Sequence, residues 1–100
     1  MHKIGVSLPS ARNRIAVRDA YVKPVRKLML EKRIGFWSNH MVEDGGDRVD
    51  PTGSPLRHHL LMFEVYDFKD GINFLREAFT QLCCPESTKF VDLSECQPLY

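Results

Sequence analysis

The stretch HHLLMFEVYDFKDGINFLREAFTQL (58–82) decides the fold. Its first nine residues alternate. Leu61, Phe63 and Val65 fall on one side of an extended chain, and Leu60, Met62, Glu64 and Tyr66 on the other, because successive strand side chains point to opposite faces. At Asp67 the period changes. Phe68, Ile72, Leu75, Phe79 and Leu82 recur at steps of four and three, the spacing of one helix face. Asp67 can cap that helix, with Asp70 in the capping-box position, and Pro85 stops it.

Working outward, Phe36 to Val42 reads as a strand, and Thr88 to Leu93 as a last short one. Between the two middle strands lies a polar loop, residues 43–57, with Gly45, Gly46, Pro51, Gly53 and Pro55. On the N-terminal side, Ile15 and Val17 alternate with Arg14, Ala16 and Arg18, which predicts a first strand there. Residues 1–13, with a weaker alternation at Ile4, Val6 and Leu8, read as an N-terminal arm or an extra strand. Asp19 is a candidate cap for a helix reaching Arg33, whose face carries Tyr21, Val25, Leu28 and Met29. Pro24 interrupts it, at a cost of about 3 kcal/mol in a regular helix interior. Gly35 is the expected terminator.

The order strand, helix, strand, strand, helix, strand predicts an α+β, ferredoxin-like βαββαβ sandwich. Four antiparallel strands would carry two helices on one face. All 100 residues fit one domain, with 94–100 as a tail.

From residue 18 to 90 the chain resembles a group of small bacterial proteins with no established activity. The matching stretches are Arg18-Asp19 leading to Pro24 and Leu28, then Ile34-Gly35, then Phe63-Glu64-Val65 before Asp67, Leu75-Arg76-Glu77 and Pro85-Glu86-Ser87-Thr88. Those proteins usually carry a glycine-rich run after the first helix and small residues before the final proline. Phe36-Trp37-Ser38-Asn39 and Cys83-Cys84 stand there instead. Some members of the group resemble immunity proteins encoded beside toxins, which implies a partner blocked by surface contact.

Composition sets bounds. Hydrophobic residues make up 43% and charged residues 27%, a globular balance. No apolar run is long enough for a membrane helix or a signal-peptide core. Three cysteines, two of them adjacent, make a poor disulfide framework and point to a reduced, cytoplasmic protein. The net charge of +1 hides a division: residues 1–33 carry +7, residues 34–68 carry −4 and residues 69–100 carry −2.

The chemical constellations are sparse. His40 could meet only one of His58 and His59, since strand neighbours face apart, and Cys83 or Cys84 would have to complete a metal site. Glu43, Asp44, Asp47 and Asp50 lack the ligand spacing of a calcium loop. No nucleophile elbow or phosphate loop frames a catalytic residue. The sequence therefore predicts neither catalytic residues, metal nor cofactor.

What it offers is a binding surface. Arg14 and Arg18 would share the outward side of the first strand, with Lys23, Arg26 and Lys27 beside them off the apolar helix face. Leu60, Met62 and Tyr66, joined by one of Phe36 and Trp37 according to register with Trp37 taken as the contact residue, would form an open apolar sheet face, covered either by a partner or by the chain's own ends. The predicted function is non-catalytic protein binding by a homodimer, as an immunity-like protein or inhibitor acting on a toxin or other effector. Two alternatives are a nucleic-acid-binding protein using residues 12–33 and a small metal-dependent enzyme. The first lacks an RNA-reader signature on its strands.

Overall fold

The computed structural model describes residues 1–93, with backbone only at 44–47. Its elements are β1 (His2–Ser10), α1 (Arg14–Val17), a π turn (Arg18–Val22), α2 (Lys23–Lys32), β2 (Gly35–Val49), β3 (Pro55–Val65), α3 (Phe68–Gln81) and β4 (Lys89–Asp92). The four strands form one antiparallel sheet in the order β2-β3-β1-β4. Ile4, Val6, Leu8, Leu61, Phe63 and Val65 are fully buried from one sheet face, against Val17, Val25 and Met29 of the first helical segment and Leu75 and Phe79 of α3. Among the described residues, no helix is long and apolar enough to cross a membrane.

The first strand is not where alternation at 14–18 places it. His2–Ser10 pairs with both β3 and β4, so the segment read as an arm is a central strand. Residues 14–18 are helical, and Ile15 is 71% exposed. The physical reason is the cap. Asn13 Oδ1 accepts from the Ala16 N–H at 2.8 Å, so the helix starts at Arg14, five residues before Asp19. As a strand, Ile4, Val6 and Leu8 bury all three side chains, whereas residues 14–18 as a helix bury Val17 and leave Ile15 in solvent.

Pro24 is accommodated by the π turn. The Lys23 N–H donates to the Arg18 carbonyl, five residues back. That wider turn loosens the ladder just where the proline has no N–H to give and its ring would crowd the preceding carbonyls.

Both long helical segments end in a left-handed residue that is not glycine. At α2, Arg33 has φ 54°, with Arg33 N–H donating to Leu30 O and Ile34 N–H to Met29 O. At α3, Cys83 has φ 58°, with Cys83 N–H donating to Thr80 O and Cys84 N–H to Phe79 O. These are paired Schellman closures. Gly35, the expected terminator, does something else. A Cβ there would lie 1.9 Å from the Glu64 carbonyl oxygen, so glycine is what lets β2 start against β3.

The polar loop is shorter than residues 43–57. β2 continues to Val49 and β3 starts at Pro55, leaving a turn at 50–54. The Asp50 carboxylate closes it, accepting from Thr52 N–H, Thr52 Oγ1 and Ser54 N–H at 2.6–2.9 Å. These bonds hold its carboxyl below the usual range. The expected cap of α3 is present: Asp67 Oδ2 accepts from the Asp70 N–H at 2.9 Å.

Two substitutions separate these backbone roles. Arg33→Gly relieves the left-handed strain and should stabilise the protein by about 1 kcal/mol. Gly35→Ala forces the strand pair apart and should cost about 3 kcal/mol. Urea unfolding of both variants checks the opposite signs.

Candidate functional site: the open face of the sheet

The pairing registers define the face turned away from the helices as a grid. Across β2, β3, β1 and β4, one row is Met41, Leu60, Ser7 and Lys89, and the next is Asn39, Met62, Gly5 and Val91. Phe36, Glu64 and Lys3 lie beyond Met62, with Leu93 joined to Lys3 by its N–H. Glu43, His58 and Pro9 lie at the other end. Phe36, Met41 and Val91 are exposed, and Leu60 and Met62 are half-buried. The face is thus an apolar belt with charged ends.

Its polar content is concentrated beside the belt. Ser7 Oγ and His58 Nε2 share a hydrogen bond. Glu43 is paired directly across from His58, and Lys89 directly across from Ser7. Met41, Glu43, His58 and Leu60 line a groove of about 180 Å³.

The predicted binding residues are divided by the sheet. Leu60 and Met62 do lie on the open face. Trp37 does not. Ser38 is an extra residue between Trp37, paired with Phe63, and Asn39, paired with Met62. This bulge turns both Trp37 and His40 toward the helices. Trp37 packs edge-on to Phe63 at 5.4 Å, and Phe36 takes the open-face position. Tyr66 lies past the end of β3, 60% exposed, its N–H donating to Ile34 O.

The basic residues are also divided. Arg14, Lys23, Arg26 and Lys27 are exposed on the helical layer, and Lys23 pairs with Asp19 at 2.7 Å. They therefore sit across the molecule from Leu60 and Met62 and cannot join them in one contact. Arg18 does not share an outward strand side with Arg14. Its guanidinium lies 5.9 Å from the centre of the Trp37 ring and its Nε–H donates to His40 Nδ1 at 3.4 Å.

That contact begins a buried relay. With Nδ1 accepting, His40 carries its proton on Nε2 and donates it to His59 Nδ1 at 3.0 Å. His59 then carries its own proton on Nε2, a fully buried atom with no aligned acceptor. Burial foremost, then His59, Arg18 and Arg14, pushes the His40 pKa down to about 4. Burial likewise lowers that of His59, with Arg57 and His58 adding to it and the backbone of Arg12 and Ser10 opposing it. Both rings are neutral at pH 7. As expected, His40 meets only one of the two strand neighbours. Among the described residues, no group of three His, Cys, Asp or Glu converges as a metal site. Cys84 packs on the core and Cys83 is exposed, while Cys96 and the tail at 94–100, Leu99 and Tyr100 included, lie outside the described residues.

The relay fixes the sign of an acid effect. The unfolded chain takes up protons on these histidines below about pH 6.5; the folded chain resists protonation of His40 until near pH 4, and resists that of His59 in the same direction. Stability from the pair is therefore complete above pH 6.5 and lost on acidification toward pH 4, by up to about 1.4 kcal/mol per pH unit per histidine. Urea midpoints measured from pH 7.5 to 4.5 should fall, and His40→Gln should flatten that fall.

The sequence signal for Ser7 and His58 was nil, since 51 positions separate them and only strand register joins them. No family model, curated protein or solved structure matches the chain.

Proposed function

We propose that the chain is a ferredoxin-like protein-binding domain whose partner on the open face is a second copy of itself. The ferredoxin-like reading is supported by the element order and by β1 lying between β3 and β4 in the sheet. The β2–β3 hairpin is long, at 15 and 11 residues against four in β4.

The observation that carries the self-association reading is the division of charge across the open face. Its β2–β3 half holds Glu43 and Glu64, and its β1–β4 half holds Lys3 and Lys89. A two-fold axis parallel to the strands at the sheet centre sets β2 on β4 of the second copy and β3 on β1. Acidic half then meets basic half twice, with apolar belt on apolar belt between them. At about 4.8 Å per strand, the grid measures about 500 Å² per copy. Two copies then bury about 1,000 Å², the lower limit of a specific interface. In such a dimer Arg14, Arg26 and Lys27 face outward, offering an acidic partner a second, separate surface.

Light scattering tests the reading. The wild type should show twice the chain mass at high micromolar concentration, and Met62→Glu should be monomeric. Lys89→Glu should weaken the dimer and Lys89→Glu with Glu43→Lys should restore it. A monomeric wild type overturns the reading, as does a swap that rescues nothing.

A further inference from the structure

The open face also carries the elements of a nucleophilic site. We propose that Ser7 and His58 form an acyl-transfer centre for small, apolar carboxylic esters, with Glu43 and Lys89 as their charged neighbours. The site belongs to a single chain and would be covered in the dimer proposed above, so it is tested at nanomolar concentration, where the chain is dissociated.

Four observations carry it. Ser7 Oγ is bonded to the Nε2 of His58, the pairing in which an imidazole removes a hydroxyl proton. Glu43 stands opposite His58 on β2, where directly paired side chains have Cβ atoms about 5 Å apart. Its carboxylate can reach Nδ1 by rotating its own side chain, and that would fix the tautomer that leaves Nε2 as acceptor. Lys89 stands opposite Ser7 on β4, a cation beside the place where negative charge would develop. The groove beside His58, walled by Met41 and Leu60, suits a short aliphatic or aromatic acyl chain and opens at the edge strand β2.

The chemistry balances with water alone. Ser7 Oγ attacks the ester carbonyl as its proton passes to His58 Nε2, forming a tetrahedral oxyanion beside Lys89. Collapse breaks the bond to the alcohol oxygen, which leaves with the proton from His58. Water, deprotonated by His58, then attacks the acyl-Ser7. The carboxylic acid departs, and the proton returns to Ser7 Oγ.

Two probes test this on the intact chain. A fluorophosphonate should add one adduct, mapped to Ser7 by peptide mass spectrometry. The chain should also hydrolyse p-nitrophenyl butyrate above the buffer rate. Ser7→Ala should abolish both, and His58→Gln should lower both by about a hundredfold or more. Glu43→Gln should give a smaller loss. Circular dichroism shows whether each variant folds. If Ser7→Ala does not, the adduct map of the wild type decides alone. An unlabelled Ser7, or a folded Ser7→Ala that hydrolyses at the wild-type rate, overturns the proposal.

Discussion

The ring of Phe79 is the point on which the packing depends. It stacks on Tyr21 at 5.6 Å and meets Phe63 and Phe90 edge-on, each at 6.1 Å. One side chain of α3 thereby joins the π turn, the central strand β3 and the edge strand β4. Aromatic pairs of this geometry add to the free energy of burial itself. The start of α3 can lie that close to β3 because of a single missing side chain: a Cβ on Gly71 would lie 2.6 Å from the carbons of Val65. Larger residues there would lift the start of α3 from β3 and draw Phe79 away from its neighbours.

A second constraint, the Ser38 bulge, decides which side chains of β2 belong to which face. Strand side chains alternate with period two, so Trp37 and His40 would face apart in a regular strand. One extra residue puts both on the helix side. Trp37 then packs on Phe63 and under Arg18, and His40 bridges Arg18 to His59. The same bulge leaves Phe36, Asn39, Met41 and Glu43 together on the open face, so both the buried relay and the proposed site are consequences of it.

His58 and His59 show how strongly position outweighs residue type. Adjacent in sequence, they serve opposite sides of one sheet. His59 is fully buried in the neutral relay, where burial depresses its affinity for protons. His58 bonds to Ser7 at the edge of an open groove. The basic residues of the first third divide in the same way. Arg18 turns inward to a tryptophan and a histidine, while Arg14, Arg26 and Lys27 stay exposed.

β3, α3 and their junction were legible from the residues alone. Alternation at 58–66, the four-and-three spacing from Phe68 and the Asp67 cap are local signals, and local physics suffices to read them. Alternation also showed that His58 and His59 would part. It misread the first strand, because the alternation at 14–18 resembles that at 4–8, and only competition for the core chose between them. Asn13 and Pro24 then acted through backbone hydrogen bonds that no hydrophobic pattern records. The function of Gly35 was hidden because its neighbour, the Glu64 carbonyl, is 29 positions away. The Ser38 bulge and the pairing of Ser7 with His58 were tertiary decisions for the same reason. Each depends on strand register, which is set by which side chains bury together across the whole sheet.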